Sequence, residues 1–199
     1  IATRDFQLIQ SILLISGHSP FCETFFDNVK VPKDQVVGEI NQGWDVAKYL
    51  LGHEREMISG MGPRGGEIPL SRVALAALGA EADGRLADPV LRARIAQFDI
   101  RAEAFRAMSE RFLDELKAGK AHPAQPSVMK YMGTELNKQR YELLMAAGGS
   151  PALEWDSAES RNGAAARGWL RTKANSIEGG TSEIQLNIIA KRILALPGA

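Results

Sequence analysis

The sequence predicts a mainly α-helical fold, in which an antiparallel helical bundle follows a short β segment. Apolar residues recur every three or four positions from about residue 41 onward, as they do in amphipathic helices. Before that point, short runs of Phe and Val lie between turn residues, which is typical of strands. The helical patterns are long and their connections short, and this combination favours antiparallel neighbours.

The β segment is predicted to contain roughly two to four short strands. Residues 7–15 are apolar and β-branched, and Gly17 with Pro20 separates them from residues 21–31, which are rich in Phe, Val and Thr. A turn then precedes the apolar pair at residues 36–37.

Helical periodicity indicates four long helices and two shorter ones after the β segment. They are predicted at about residues 43–60, 70–83, 88–119, 126–149, 163–176 and 182–196. The third has clear end signals, because Asp88 is a plausible cap, Pro89 takes the first helical position and Gly119 closes the run.

Composition indicates a soluble globular protein and argues against several function classes. The 199 residues are 45% apolar and 24% charged, with 24 acidic and 24 basic residues, so no net field favours nucleic acid or an anionic membrane. A single cysteine, Cys22, and three scattered histidines predict no disulfide framework and no metal site. With neither a long apolar run nor a signal peptide, a cytoplasmic location is the default expectation. Because the chain begins at Ile1, we expect it to be a piece of a longer protein.

Glu54 is the first candidate for chemistry. It shares one face of the first predicted helix with Ala47, Leu50, Leu51 and Ile58, so its carboxylate lies on an apolar stripe. Burial there would raise the pKa of Glu54 and suit it to remove a proton next to a carbonyl. The alternative, more common for charged residues, is that Glu54 turns toward solvent and pairs with a neighbouring charge.

The second candidate is the segment from Gly179 to Gln185. Two glycines let the backbone approach a ligand closely, and Ser182 with Gln185 has the spacing of a capping box. The N–H groups and positive dipole end of the next helix would then form an anion site, for example for a pyrophosphate. The alternative is an ordinary helix–turn–helix link.

Two further features have structural interpretations that are at least as good. Gly148-Gly149 is typical of a helix end followed by a turn, although a backbone contact to a cofactor also fits. Glu178 is a second candidate base, or else a solvated loop charge.

Three segments, in order, contain the motifs of one protein family. They are residues 19–32 (SPFCETFFDNVKVP), residues 37–44 (VGEINQGW) and residues 177–190 (IEGGTSEIQLNIIA). The first resembles the end of the β-domain of the acyl-CoA dehydrogenase family, the second the family's link into its C-terminal helical domain, and the third its closing signature. The resemblance implies that residues 1–40 are the tail of a small, incomplete β-domain and residues 41–199 the C-terminal helical-bundle domain.

The resemblance also implies a reaction, a cofactor and partners. Family members use FAD to desaturate an acyl-CoA thioester to a trans-2-enoyl-CoA: a glutamate removes the α-proton and the β-hydrogen leaves as hydride. Electrons usually pass to an electron-transfer flavoprotein. The protein is then expected to be a homo-oligomer, either a dimer or a tetramer.

The family places its catalytic glutamate in one of two positions. One lies directly before the Gly-Thr of the closing signature, where this chain has Gly179, with Glu178 one residue earlier. The other is a Glu-Arg pair on the first helix of the domain, which Glu54-Arg55 matches. The resemblance therefore favours Glu54 as the base and leaves Glu178 as the alternative. Leu51, Arg55 and Gly179 are the positions expected to contact substrate.

Cofactor contacts carry over in two groups. Thr181, Ser182 and Glu183 match the segment that contacts FAD near its phosphates and ribose. Gly148 and Gly149 match a Gly-Gly segment that contacts the adenine half of FAD on a neighbouring subunit.

The chain departs from the family in three respects. Met145 stands where the family has Gln, residues 72–87 lack an expected Arg-x-x-Phe-Gly sequence, and the N-terminal helical domain and most of the β-domain are not in this chain. The open alternatives are therefore a non-catalytic family-like subunit or oligomerisation domain without its own flavin site, and a helical interaction module without a ligand.

Overall fold

The computed structural model describes residues 6–59 and 68–198. Over these ranges the chain forms a two-stranded sheet followed by six α-helices. The elements are β1 (Phe6–Ile12), β2 (Phe21–Phe26), α1 (Gly43–Ser59), α2 (Leu70–Leu78), α3 (Pro89–Lys117), α4 (Gln125–Gly148), α5 (Ala164–Thr172) and α6 (Ser182–Arg192). Single turns of 3-10 helix occupy Lys33–Gln35, Ser150–Leu153 and Lys173–Ser176. The predicted fold class, a helical bundle after a β segment, is confirmed.

The two strands form an antiparallel hairpin. Phe6 lies opposite Phe26 and Ile12 opposite Phe21, with an irregularity in register near Leu8. The apolar pair at residues 36–37, which carried a strand signal, lies outside both strands and follows a 3-10 turn. Every residue of β2 is exposed, so this hairpin contributes little to the buried core of the described chain.

Helix α4 is the centre of the bundle and packs against α1, α2, α3, α5 and α6. Only Glu142 and Ala146 are exposed along its whole length, so this helix is covered on every side. A helix in that position is expected to be buried all round instead of amphipathic. The core joins α2, α3 and α4 through Leu70, Ala74, Leu86, Leu91, Ile95, Phe98, Phe105, Phe112, Met129, Leu136, Leu143 and Ala147.

The ends of α3 follow the predicted signals. The Asp88 carboxylate accepts hydrogen bonds from the backbone N–H groups of Val90 and Leu91, each at 2.9 Å, and Pro89 is the first helical residue. At the other end Gly119 has a positive φ of 67°, a conformation that glycine adopts without steric cost. Both boundaries were predictable because their causes are local in sequence.

Three other helices end earlier than the periodicity predicts. Gly79, with a φ of 79°, ends α2 at Leu78 instead of residue 83. Helix α5 stops at Thr172, and its predicted last turn tightens into 3-10 helix. Helix α6 stops at Arg192, because the Leu194 N–H donates to the carbonyl of Ile189 instead of Ala190 and the four-residue hydrogen-bond ladder ends there.

Among the described residues, no helix combines the length and the apolar character that crossing a membrane requires.

Candidate functional site

The glycine turn before α6, residues 178–181, is the first part of the site. Gly179 and Gly180 have positive φ angles of 68° and 94°. Thr181 then caps α6, because its hydroxyl accepts the Ile184 N–H at 3.3 Å. The capping box predicted from Ser182 and Gln185 is wrong. Thr181 has the extended backbone that a cap requires, and Ser182 is already the first helical residue.

Ser182 and Gln185 serve the same turn in other ways. The Ser182 hydroxyl donates to a Glu135 carboxylate oxygen at 3.1 Å, which ties α6 to α4. The side chain of Gln185 is 1% exposed, and its Nε2 donates to the carbonyls of Gly179 and Gly180 at 3.1 and 3.3 Å. A Cβ on Gly180 would lie 2.6 Å from that Nε2, so this position accepts only glycine without rearrangement.

The start of α6 stabilises negative charge. The Glu183 carboxylate accepts a hydrogen bond from its own backbone N–H and another from the Thr181 hydroxyl, and these bonds lower the pKa of Glu183. A lowered carboxylate pKa is expected at the start of a helix, because the free backbone N–H groups and the positive end of the helix dipole both favour negative charge there. The turn therefore fits the phosphate portion of a nucleotide, with Glu183 competing for one of the same donors.

Glu178 is engaged in an ion pair, in contrast to the solvated loop charge that was one of its two interpretations. Its two oxygens accept from the Arg171 guanidinium at 3.0 and 3.3 Å, and Asn175 Nδ2 donates to one of them at 2.6 Å. Since both oxygens are occupied, the arrangement favours an anchoring role for Glu178 over proton abstraction.

Lys130 completes the turn and was missed by the sequence reasoning. It is 0% exposed, and its Nζ donates to the carbonyls of Asn175 and Gly180 at 3.0 and 2.8 Å. Burial lowers the pKa of this lysine, and the carboxylates of Glu178 and Glu135 partly offset that effect. The one signal available in the sequence was a lysine within a helix whose neighbours are largely apolar or small.

Helix α1 carries the other part of the predicted site. Ala47, Leu51 and Glu54 are half-buried, so Glu54 lies on the less exposed face of this helix, and α1 packs against α4. Leu50, predicted on the same stripe, is 64% exposed, so the stripe is narrower than expected. Arg55 belongs to α1, but its side chain lies outside the described residues.

Gly148 and Gly149 lie where α4 ends. A Cβ on Gly148 would lie 2.7 Å from the Cβ of Ala152, and Gly149 has φ 58° and ψ −147° with open space beside it. Gly148 also lines a cavity of about 520 Å³, together with Arg140 and Tyr141. Local packing is enough to explain both glycines, and the open side of Gly149 leaves room for a backbone contact.

The two glycine pairs lie far apart within one chain. Lys130 contacts the glycine turn near the start of α4, whereas Gly148 is the last residue of the same helix. These residues are separated by roughly 27 Å along the helix axis, given a rise of about 1.5 Å per residue. The resemblance assigns residues 181–183, just after the second pair, to FAD, and assigns Gly148 and Gly149 to a flavin on a neighbouring subunit; this separation is compatible with that assignment.

No cluster of three or more His, Cys, Asp or Glu side chains that could hold a metal ion occurs in residues 6–59 and 68–198.

Comparison with known proteins gives consistent matches. Residues 41–194 match the family model described as the acyl-CoA dehydrogenase C-terminal domain. The chain is 34% identical over 195 residues to acyl-CoA dehydrogenase IpdE1 of Mycobacterium tuberculosis, which covers 95% of this chain and 47% of that protein. It therefore spans about half the length of this relative.

Solved structures match in fold. The Tcur3481-Tcur3483 steroid ACAD superposes with a TM-score of 0.79 at 24% identity, covering 98% of this chain and 50% of that one. The ChsE4-ChsE5 complex from Mycobacterium tuberculosis superposes with a TM-score of 0.72 at 25% identity, with the same coverage of 98% and 50%.

Proposed function

Because the chain belongs to the acyl-CoA dehydrogenase family, we propose that it is the C-terminal part of an enzyme that uses FAD to desaturate acyl-CoA thioesters. The product would be a trans-2-enoyl-CoA. The observation that carries the proposal is the start of α6, where an open glycine turn precedes a helix end that stabilises negative charge. A diphosphate such as that of FAD matches this chemistry.

Each part of the chain has a proposed task. Bound FAD supplies the acceptor for the hydride that leaves Cβ. Thr181, Ser182 and Glu183 bind its phosphates or ribose. Gly148 and Gly149 contact the adenine half of a flavin held by a neighbouring subunit, since they lie at the far end of α4.

Glu54 is the proposed base that takes the proton from Cα. It is half-buried on the same face of α1 as Ala47 and Leu51, so a substrate lying along this apolar face would bring its Cα toward the carboxylate. Glu178 is the weaker candidate, because Arg171 and Asn175 already bind both of its oxygens. Leu51, Arg55 and Gly179 are proposed to contact the acyl-CoA.

The activity belongs to the whole protein, because the chain spans about half of its relatives. The rest of the flavin site would come from the remainder of the polypeptide or from a partner subunit. Electrons are proposed to pass to an electron-transfer flavoprotein, and the assembly to be a homodimer or homotetramer.

A second candidate is a family-like subunit without its own activity. One of the matching structures is a complex of ChsE4 with ChsE5, and this match supports pairing with a different chain. In that case the helices serve assembly, and the partner supplies the base.

Spectroscopy of the complete gene product tests both candidates. We expect a yellow protein whose flavin absorbance is bleached anaerobically by at least one acyl-CoA in a panel. Glu54→Gln should keep the flavin but lose bleaching, while Glu178→Gln should retain it. A colourless protein that forms stable oligomers would favour the second candidate, and loss of bleaching only in Glu178→Gln would reassign the base.

A further inference from the structure

We propose that Lys130 is a positioning residue for flavin binding, which fixes the glycine turn so that the first turn of α6 is presented to the nucleotide. The inference rests on the proposed function and deepens it, because it assigns the shape of the turn to one side chain on a different helix.

The geometry at Nζ is the first support. The side chain is 0% exposed, and its ammonium group donates to the carbonyls of Asn175 and Gly180 at 3.0 and 2.8 Å. The first carbonyl precedes the turn and the second lies within it, so one donor holds the backbone on both sides of Gly179. A buried lysine is rare, and its desolvation is costly unless its donors are satisfied.

Neighbouring side chains of α4 hold the same segment. Asn137 Nδ2 donates to the side-chain oxygen of Asn175 at 2.9 Å, and Lys138 Nζ donates to the Ser176 hydroxyl at 2.9 Å. Glu135 accepts from the Ser182 hydroxyl just after the turn. Side chains of α4 therefore hold the turn and the residues on either side of it. Among these side chains, Lys130 differs in that it donates only to backbone carbonyls.

Gln185 closes the turn from the other side. Its Nε2 shares the Gly180 carbonyl with Lys130, so α4 and α6 both donate to one oxygen. Gly180 has a φ of 94°, and a Cβ there would lie 2.6 Å from Gln185 Nε2. The backbone is thus held in a conformation that few residues adopt, and removal of Lys130 leaves the Asn175 carbonyl without this donor.

The effect should fall on the ligand more than on the core. The apolar core lies between α2, α3 and α4, and the carbonyls that Lys130 contacts belong to the loop before α6. Leu136, a core residue six positions further along α4, provides a matched control, since truncating it lowers stability and removes no hydrogen bond to the turn.

The experiment uses Lys130→Met in the complete protein. The dissociation constant for FAD is measured by titrating apoprotein, and amide hydrogen exchange is followed over residues 177–186. We expect FAD binding to weaken at least about tenfold, with faster exchange in the turn. Leu136→Ala should lower the melting temperature yet leave FAD affinity within about twofold.

Equal FAD affinity in wild type and Lys130→Met would overturn the proposal, and so would equal weakening by Leu136→Ala. If Lys130→Met does not fold, Gln185→Met removes the second donor to the same carbonyl and should weaken binding by a smaller factor; unchanged affinity there also overturns it. A wild-type protein that binds no FAD refutes the proposed function itself, which distinguishes the two failures.

Discussion

The glycine pairs at residues 148–149 and 179–180 both lie near the end of a helical segment, but their surroundings differ. Gly148 is required by one neighbour, the Cβ of Ala152, and Gly149 has open space beside it. Gly180, in contrast, is exposed, but its carbonyl accepts hydrogen bonds from side chains of two helices, Lys130 from α4 and Gln185 from α6. The same dipeptide therefore ends a helix in one place, and in the other forms a turn that side chains of α4 and α6 hold by hydrogen bonds.

Charge separates the two regions as well. At the start of α6, local N–H and hydroxyl donors lower the pKa of Glu183, and a buried lysine lies behind the turn. At the end of α4 the backbone runs into a 3-10 turn, which begins with the exposed Ser150. A glycine pair becomes a candidate binding element when polar side chains hold its carbonyls, because its N–H groups are then fixed before the ligand arrives.

The largest expected effect comes from Gly180→Ala. An alanine would be strained at the φ of 94°, and its Cβ would lie 2.6 Å from Gln185 Nε2. Backbone strain costs about 1–3 kcal/mol, and moving the Gln185 amide out of the way would break its hydrogen bonds to the turn, at about 0.5–1.5 kcal/mol each. In chemical denaturation, Gly180→Ala should lower the free energy of unfolding by more than Gly149→Ala does. Its affinity for FAD should fall as well.

Gly149→Ala is the matched control for that substitution. It carries the backbone strain without a contact, because nothing lies within 4 Å of the added Cβ. We expect a loss of about 1–3 kcal/mol. Equal losses for the two variants would show that the close approach of Gln185 to Gly180 contributes nothing.

Gly148→Ala should act through a single contact. Its backbone is helical, so the cost is overpacking against Ala152, with the two Cβ atoms 2.7 Å apart, and should be about 1–3 kcal/mol. The double variant Gly148→Ala, Ala152→Gly removes the clash and should recover most of the loss in urea denaturation. Absence of recovery would mean that Gly148 is required for another reason.

Local signals explain what the sequence could predict. The ends of α3 follow from Asp88, Pro89 and Gly119, each of which acts on its own turn of the chain. The half-buried face of α1 was also predictable, apart from Leu50, because the width of a buried stripe depends on the partner helix and not on periodicity.

Contacts distant in sequence explain what the sequence could not predict. Lys130 is buried because carbonyls 45 and 50 residues away accept its hydrogen bonds. Glu178 acquires its ion pair from Arg171 only once α5 and the following 3-10 turn are in place. Neither the Gly-Gly pair nor the glutamate, taken as a sequence pattern, indicates which residues will be its partners.

A moderate effect is expected from Ser182→Ala. It removes the hydrogen bond from the Ser182 hydroxyl to Glu135, a carboxylate that Lys138 also binds at 3.1 Å. The expected loss is about 0.5–1.5 kcal/mol in urea denaturation. Ser150→Ala, at the exposed position after the other glycine pair, should change stability by less than about 0.5 kcal/mol. If the two substitutions lower the free energy of unfolding equally, the hydrogen bond between Ser182 and Glu135 does not contribute to stability.

The smallest expected effect is the pH dependence of Glu183→Gln. Since the pKa of Glu183 is lowered in the folded state, its ionised form stabilises the fold above the unfolded-state pKa, and that contribution is lost as the pH falls through the folded-state value. Melting temperatures of wild type and variant should therefore differ near neutral pH and converge between about pH 5 and about pH 3. High salt should reduce the neutral-pH difference, because charges at an exposed helix end are screened. A melting-temperature difference that persists unchanged to low pH would mean that the start of α6 interacts with this side chain through packing. The electrostatic argument for an anion site at the start of α6 would then fail.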